Sequence, residues 1–260
     1  MRPSDDFDRI VSLVKKRIGF PGDLYKFNPI RRRIEYCMNR IGVHDPGEYL
    51  KILKGSDEEL KKLSLELTIN LSYFFRNPET FDAFEQICLG RILKSKELSI
   101  WSAGCAAGEE AYTIAIILDR HKVRRFRILA TDIDLGAIKR AKEGVYSQFA
   151  VQFVPDEILK TYFKHEEGNY HLDRRIVNMV QFELNDLFQA IHPNTFDAVF
   201  LRNVLIYLSR PAQIELLRIV KLNLKKGGYL ILGKVETMIG IDPDGLFHPI
   251  SLRERIYQLL

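Results

Sequence analysis

Leu98-Ser-Ile-Trp-Ser-Ala-Gly-Cys-Ala-Ala-Gly-Glu-Glu-Ala-Tyr-Thr-Ile-Ala-Ile-Ile-Leu118 is the stretch whose reading decides the fold. Leu98, Ile100 and Trp101 form an apolar run with strand character. Small residues follow from Gly104 to Gly108, and then Ala111, Ile114, Ala115 and Leu118 recur at helical spacing. Strand, small-residue turn and helix in that order open a nucleotide-binding βαβ unit, where glycines such as Gly104 and Gly108 let the backbone approach a ligand closely.

The turn departs from the dinucleotide form G-x-G-x-x-G in lacking the middle glycine. It also sets Glu109 and Glu110 at the helix N-terminus, where a pyrophosphate would otherwise bind. Carboxylates there repel phosphate and suit a ligand carrying positive charge. S-adenosylmethionine has that chemistry: an adenosine without phosphate, a sulfonium and an ammonium. Two other readings stay open from this stretch alone, a dinucleotide site and a glutamate pair that only complements the helix dipole.

Working outward, the 260 residues allow one large α/β domain plus a small accessory one. With 46% hydrophobic and 28% charged residues, the composition is that of an ordinary globular protein and excludes a disordered or collagen-like chain. No run of 18 apolar residues and no signal-peptide pattern occurs, which predicts a cytoplasmic protein. Cys37, Cys88 and Cys105 are odd in number and widely spaced, so reduced thiols are expected rather than a disulfide framework. The six histidines have no ligand spacing, and no metal is expected. A net charge of +5 is mild and matters only where it is concentrated.

Ser4 to about Lys62 reads as short helices broken at Phe20-Pro-Gly-Asp23 and His44-Asp-Pro-Gly47. Ser4 or Asp5 caps the first, with Phe7, Ile10, Val11 and Val14 on one face, and Asp45 caps another. The middle helix, roughly Pro29 to Ile41, carries an apolar stripe of Ile30, Ile34, Cys37 and Ile41. A second stripe of Arg33, Tyr36 and Arg40 lies beside it. From Lys26 to Arg40 five positive residues oppose one negative, Glu35. This is either a solvated face or a docking face for an acidic partner, nucleic acid or protein helix.

Thr68 to Pro78 breaks the helical pattern. Asn70 and Ser72 sit beside Phe74, Phe75 and Arg76, a content that fits a pocket wall or, equally, a linker with its aromatics tucked into the core. Downstream of the glycine turn, Arg127 to Asp134 is a second apolar strand ending in acid. Asp132 lies 24 positions beyond Gly108, near the roughly 20 expected for a ribose-binding acid. Asp134 or Thr131 is the alternative, as a cap of the next helix.

Gly144 to Val177 lapses from the alternation: a helix over Pro155 to Phe163 and short strands at Asn169–Asp173 and Ile176–Val180 predict an antiparallel excursion. Val180 to Leu184 resumes the sheet and ends at Asn185 and Asp186. Phe196 to Leu201 is an apolar central strand ending at Arg202, Asn203 and, four residues on, Tyr207. A helix from Pro211 is expected to stop at Lys225-Lys-Gly-Gly228, before strands at Tyr229–Gly233 and Arg255–Leu259. Four strand ends thus converge: the glycine turn, Asp132, Asn185 and Asn203.

With these residues in hand, the chain resembles the CheR-type chemotaxis receptor methyltransferases over nearly its whole length. The matching pieces are Asn70-Leu-Ser-Tyr-Phe-Phe-Arg-Asn77, Trp101 to Ala115, Ala130-Thr-Asp-Ile-Asp134 and Arg202-Asn-Val-Leu-Ile-Tyr207. The resemblance implies an α/β, Rossmann-like class I S-adenosylmethionine-dependent methyltransferase with an N-terminal helical domain and a small antiparallel β insertion. The expected boundaries are 1–69 and 70–260, with the insertion at about 146–180. It implies methyl transfer to glutamates of cytoplasmic chemoreceptor helices, with S-adenosylhomocysteine as product. Asn70, Ser72, Arg76, Glu110, Asp132, Asn185, Asp186, Arg202 and Asn203 fall where the family contacts the cofactor, and Tyr207 matches the tyrosine near the transferred methyl. Tyr207 and Arg76 are the expected catalytic pair, and Arg33, Tyr36 and Arg40 the expected docking residues.

Departures from the family pattern also carry expectations. Ser72 replaces a threonine and keeps its hydroxyl, and Gly233-Lys-Val-Glu236 replaces Gly-His-Ser-Glu. The insertion lacks the glycine-flanked segment of members that grip a receptor's C-terminal pentapeptide, so docking without a tether is expected. The expected partners are methyl-accepting chemotaxis receptors, with no nucleic acid, membrane contact only through receptors, and a monomeric enzyme. The alternatives are a methyltransferase acting on RNA or a small molecule, or a non-catalytic interaction module.

Overall fold

The computed structural model describes residues 3–67, 72–93 and 97–260. The chain divides into two compact units: Met1–Ile69 with Tyr207–Ala212, and Asn70–Ile206 with Gln213–Leu260. The first is helical: α1 (Pro3–Ile18), α2 (Phe27–Arg40), α3 (Pro46–Gly55) and α4 (Asp57–Leu67). Phe7, Ile10 and Val14 of α1 and Ile30, Ile34 and Cys37 of α2 are buried in one small core. Asp45 caps α3 by accepting the Glu48 N–H at 2.9 Å, with Pro46 supplying the fixed φ of a first helical residue. Ile41, expected as the fourth member of the α2 stripe, is 40% exposed because the helix ends one residue before it. The returning segment pairs with this unit through backbone: Lys26 N–H donates to the Tyr207 carbonyl and Ser209 N–H to that of Leu24, each at 2.8 Å.

The second unit begins with α5 (Pro78–Ala83), which runs through a π-helical turn (Phe84–Leu89) into α6 (Gly90–Ile92). Its main sheet contains β1 (Leu98–Ala103), β2 (Phe126–Asp132), β6 (Val180–Leu184), β7 (Phe196–Leu201), β8 (Leu224–Leu232), β9 (Phe247–Ser251) and β10 (Ile256–Leu259), in the order β6-β2-β1-β7-β8-β10-β9. The first five are parallel and the last two antiparallel. β1 and β7 are buried at every position, which is why they read as continuous apolar runs. Trp101 stacks on Phe196 at 5.5 Å, and its indole N–H reaches Thr131 Oγ1 at 2.9 Å. The connecting helices are α7 (Glu109–Arg120), α8 (Leu135–Glu143) and α12 (Arg210–Asn223).

The antiparallel excursion is a three-stranded sheet of β3 (Val145–Tyr146), β5 (Asn169–Leu172) and β4 (Phe163–Glu166), with α9 (Gln148–Val151) and α10 (Asp156–Tyr162) between its strands. The expected strand at Ile176–Val180 is instead a helical turn, α11 (Arg174–Val177), because the Asp173 carboxylate caps the Arg175 N–H at 2.8 Å. α12 likewise stops at Asn223 rather than at Lys225–Gly228. The Asn223 amide, fully buried, donates to the carbonyls of Ala190 and Ile219, while Lys225 pairs with Asp197 at 2.7 Å inside β8. β9 was not expected at all: Phe247-His-Pro-Ile-Ser251 carries a proline, which only an edge strand such as this one tolerates. No helix among the described residues is long and apolar enough to cross a membrane.

Candidate active site at the carboxyl edge of the sheet

In an open parallel sheet the ligand crevice lies beyond the carboxyl ends of the strands, where the strand order reverses. Here the chain moves from β1 to β2 on one side and returns from β6 to β7 on the other, so the crevice opens beside the end of β1. Gly104 and Cys105 leave that end with both N–H groups on the Thr131 carbonyl at 2.9 Å, and Asn185 N–H donates to the Asp132 carbonyl at 3.0 Å. The ends of β1, β2 and β6 are thereby tied to one another. A Cβ at Gly104 would sit 2.7 Å from Val204 Cγ2, so the turn after β7 closes directly over the glycine turn.

Asp132 is buried, and its two oxygens accept N–H bonds from Ala106 at 2.8 Å and Asp134 at 2.9 Å. Burial raises its pKa, and the backbone donors work against that rise. Asp134 caps α8 by accepting from the Gly136 N–H at 2.7 Å, which leaves Asp132 as the acid facing the glycine turn. Gly108, at φ +91°, precedes α7, and Glu109 and Glu110 fill its first turn. Glu110 is held by the Ser102 hydroxyl at 2.7 Å and by Arg202 at 3.2 Å.

Glu109 is buried with one carboxyl oxygen unpartnered. Burial pushes its pKa up to about 7, opposed by its own backbone N–H and by a hydrogen bond from Ser72. Between the ordinary 4.5 and about 7 the folded state keeps the proton that the unfolded chain has released, so this group's contribution to stability declines as pH rises through that window. Glu109→Gln removes the titration. Urea unfolding from pH 4.5 to 7.5 should show the variant gaining on the wild type by about 2–3 kcal/mol; parallel curves would place an ionised carboxylate there throughout.

Arg202 is the hub of this edge. Its guanidinium, 2% exposed, pairs with Glu110, donates to the Arg76 carbonyl and to Asn77 Oδ1, and lies over the Phe81 ring. Those partners take its two terminal nitrogens, while its buried Nε–H has no partner among the described residues, so Arg202 secures Glu110 and the 72–77 loop. Arg76 is only half buried, its guanidinium 5.4 Å from the Tyr73 ring centre. Asp186 closes a local turn, accepting from Phe188 N–H at 3.0 Å, while Asn185 is half buried at the strand end. Asn203 follows β7 in the left-handed region at φ +61°. Asn70 lies outside the described residues. Tyr207 closes the 3-10 turn Leu205–Tyr207 at the start of the segment grouped with the helical unit.

On that helical unit a cavity of about 360 Å³ is lined by Pro29, Arg32, Arg33, Tyr36 and Glu66. Tyr36 is 57% exposed, and Arg33 donates to the Glu66 carbonyl. Arg40 is committed instead to Glu59 and Glu66, at 3.7 and 3.8 Å. Arg32 was missed as an individual candidate because the period that groups Arg33, Tyr36 and Arg40 leaves it out; it enters through the groove between α2 and α4.

The acidic donor set fits S-adenosylmethionine. Carboxylates at Glu110 and Asp132 can accept from ribose hydroxyls or an ammonium, and the turn from Gly104 to Gly108 contains no lysine or arginine of its own. Strand order, glycine turn and acidic edge together define a Rossmann-like class I methyltransferase that binds S-adenosylmethionine. Residues 70–255 match the family model described as CheR methyltransferase, SAM binding domain, and residues 5–68 match its all-alpha domain. The chain is 30% identical to a chemotaxis protein methyltransferase of Listeria monocytogenes, covering 93% of each chain. It is 30% identical to another of Salmonella typhimurium, over 97% of this chain and 89% of that one. A biofilm-formation methyltransferase of Pseudomonas aeruginosa is also 30% identical, over 94% of this chain and 60% of that protein. This chain belongs to the CheR methyltransferase family.

Proposed function

We propose that this enzyme methylates glutamate side chains on helical segments of cytoplasmic chemoreceptor domains, forming methyl esters. The observation that carries the reading is the basic groove of Arg32, Arg33 and Tyr36, on the helical half of a chain whose relatives bear the name chemotaxis protein methyltransferase. Arg32 and Arg33 outweigh Glu66 in that lining, and the net positive charge is complementary to an acidic helix. Receptor docking is assigned to this groove, with no C-terminal tether and no nucleic acid, in a monomeric cytoplasmic enzyme whose domains meet near residue 70. Asn70, Ser72, Arg76, Gly104, Gly108, Glu110, Asp132, Asn185, Asp186, Arg202 and Asn203 are assigned to the cofactor wall. Tyr207 and Arg76 are assigned to the reacting end.

Bound S-adenosylmethionine supplies a methyl on a sulfonium. A glutamate side chain with a pKa of about 4.3 is already ionised near neutral pH, so no general base is required. Its oxygen forms the new C–O bond as the C–S bond breaks, the electron pair goes to sulfur, and no proton moves. What remains for the protein is orientation and exclusion of water, which intramolecular models allow to contribute up to roughly 7–11 kcal/mol. Arg76, pre-oriented on the Tyr73 ring, holds a carboxylate, and Tyr207 shapes the position of the methyl.

The test is incubation with radiolabelled methyl donor and candidate receptor domains, from chemotaxis and from biofilm systems. Label is expected in receptor as base-labile ester; label only in RNA or a small molecule, with a steep salt dependence for RNA, would overturn the reading. Arg32→Glu with Arg33→Glu should raise the receptor KM roughly tenfold, at about 0.5–1 kcal/mol per exposed charge contact. The S-adenosylhomocysteine Kd should stay put, which titration calorimetry checks. Arg40 is a poor choice for that experiment, since its reversal would strand the buried Glu59.

A further inference from the structure

We propose that Glu236 is the positioning residue of the cofactor site, its carboxylate holding the turn from Asn203 to Ile206 in the shape that presents Asn203 and closes over Gly104. The argument rests on the reading of Asn203 as part of the cofactor wall. Glu236 follows β8 and is buried. One carboxylate oxygen accepts from Gly233 N–H at 2.7 Å and Asn203 N–H at 2.9 Å, and the other from Ile206 N–H at 3.3 Å. The Leu205 N–H adds a further donor. A single anion thus gathers the backbone donors of a turn that makes no regular secondary structure before Leu205.

Two independent features show that this cradle is built for a carboxylate. Gly233 has no room for a side chain: a Cβ there would lie 2.8 Å from the Glu236 carboxylate, 2.9 Å from the Asn203 nitrogen and 3.0 Å from the Asn203 side-chain amide. Asn203 itself sits at φ +61°, the left-handed conformation that asparagine adopts more readily than most non-glycine residues, and its N–H in that turn is held by the Glu236 carboxylate. The turn then sets Val204 against Gly104, within van der Waals reach of the glycine turn. Glu236 touches neither donor nor acceptor of the methyl; it acts through Asn203 and Val204.

The experiment is a double-mutant cycle read by S-adenosylhomocysteine binding in the full-length protein. Glu236→Gln keeps the shape but replaces one accepting oxygen by a donor group that faces backbone N–H groups. It should weaken S-adenosylhomocysteine binding at least tenfold and raise the cofactor KM, with the receptor KM unchanged. Asn203→Ala should add little to it, because it keeps the backbone N–H that Glu236 holds and removes the side chain whose placement Glu236→Gln has already lost. Gly233→Ala, whose Cβ crowds the Glu236 carboxylate and Asn203 together, should reproduce the loss. Circular dichroism melts establish that each variant is folded at the assay temperature. Additive effects of Glu236→Gln and Asn203→Ala, or wild-type affinity in both Glu236→Gln and Gly233→Ala, would overturn the proposal. A wild type that binds S-adenosylhomocysteine, shows this coupling and leaves receptors unmethylated would overturn the receptor assignment and support this one.

Discussion

Replacing Asp132 by alanine should raise the Kd for S-adenosylhomocysteine by at least about 100-fold. Two losses combine. The acid at the end of β2 is the ribose acceptor in the proposed site, and hydrogen bonds to a charged group contribute about 1.5–3 kcal/mol each, where 1.4 kcal/mol is a factor of ten. The same carboxylate braces the site before any ligand arrives, through the N–H groups of Ala106 and Asp134. Its removal strands the Ala106 donor in the middle of the glycine turn. Asp132→Asn separates the two roles, since its amide oxygen can retain one of the backbone bonds while the negative charge is gone. Titration calorimetry with all three proteins checks this. Near-normal affinity in the alanine variant would remove Asp132 from the cofactor site.

Arg202→Met should be the most destabilising single change at this edge. The substitution leaves the partly buried Glu110 without its cation and frees the Arg76 carbonyl and the Asn77 side chain of their donor. Breaking one side of a buried pair costs about 3–5 kcal/mol. For a domain of this size that corresponds to a fall in Tm of the order of 10 °C. The double variant Arg202→Met, Glu110→Gln should recover a large part of the loss, because the stranded charge has been removed with its partner. Scanning calorimetry decides: a single variant that melts within 2 °C of the wild type would show that Arg202 is not the hub described above.

Much of the catalytic half was legible because its signals are local. β1 and β7, buried on both faces, are apolar runs whatever surrounds them, and the Gly104–Gly108 turn with two glutamates behind it is contiguous in sequence. Asp132 was singled out by spacing from Gly108, and the structure shows Asp134 capping α8. The misses have long-range causes. α12 ends where Asn223 reaches Ala190, 33 residues back, not where the glycines stand. β9 exists because β10 lies beside it, and its proline and histidine hid it. Arg202 and Arg40 read as available cations because their acidic partners, Glu110 and Glu59, lie far from them in the chain.

The amino-acid sequence by itself determined the class of the fold and the order of its parallel strands. Alternation of apolar runs, glycine turns and acid-ended strands is a short-range property that chain order preserves. Only the tertiary structure decided which charges are spent and which are offered. Ionic pairing depends on distances between residues remote in sequence, and an arginine 2% exposed against a glutamate behaves unlike the same residue in a groove. Glu236 shows the same division. Its position in the sequence marks it only as one acid in a loop after a strand, and its place beneath Asn203 emerges when β7 and β8 lie side by side.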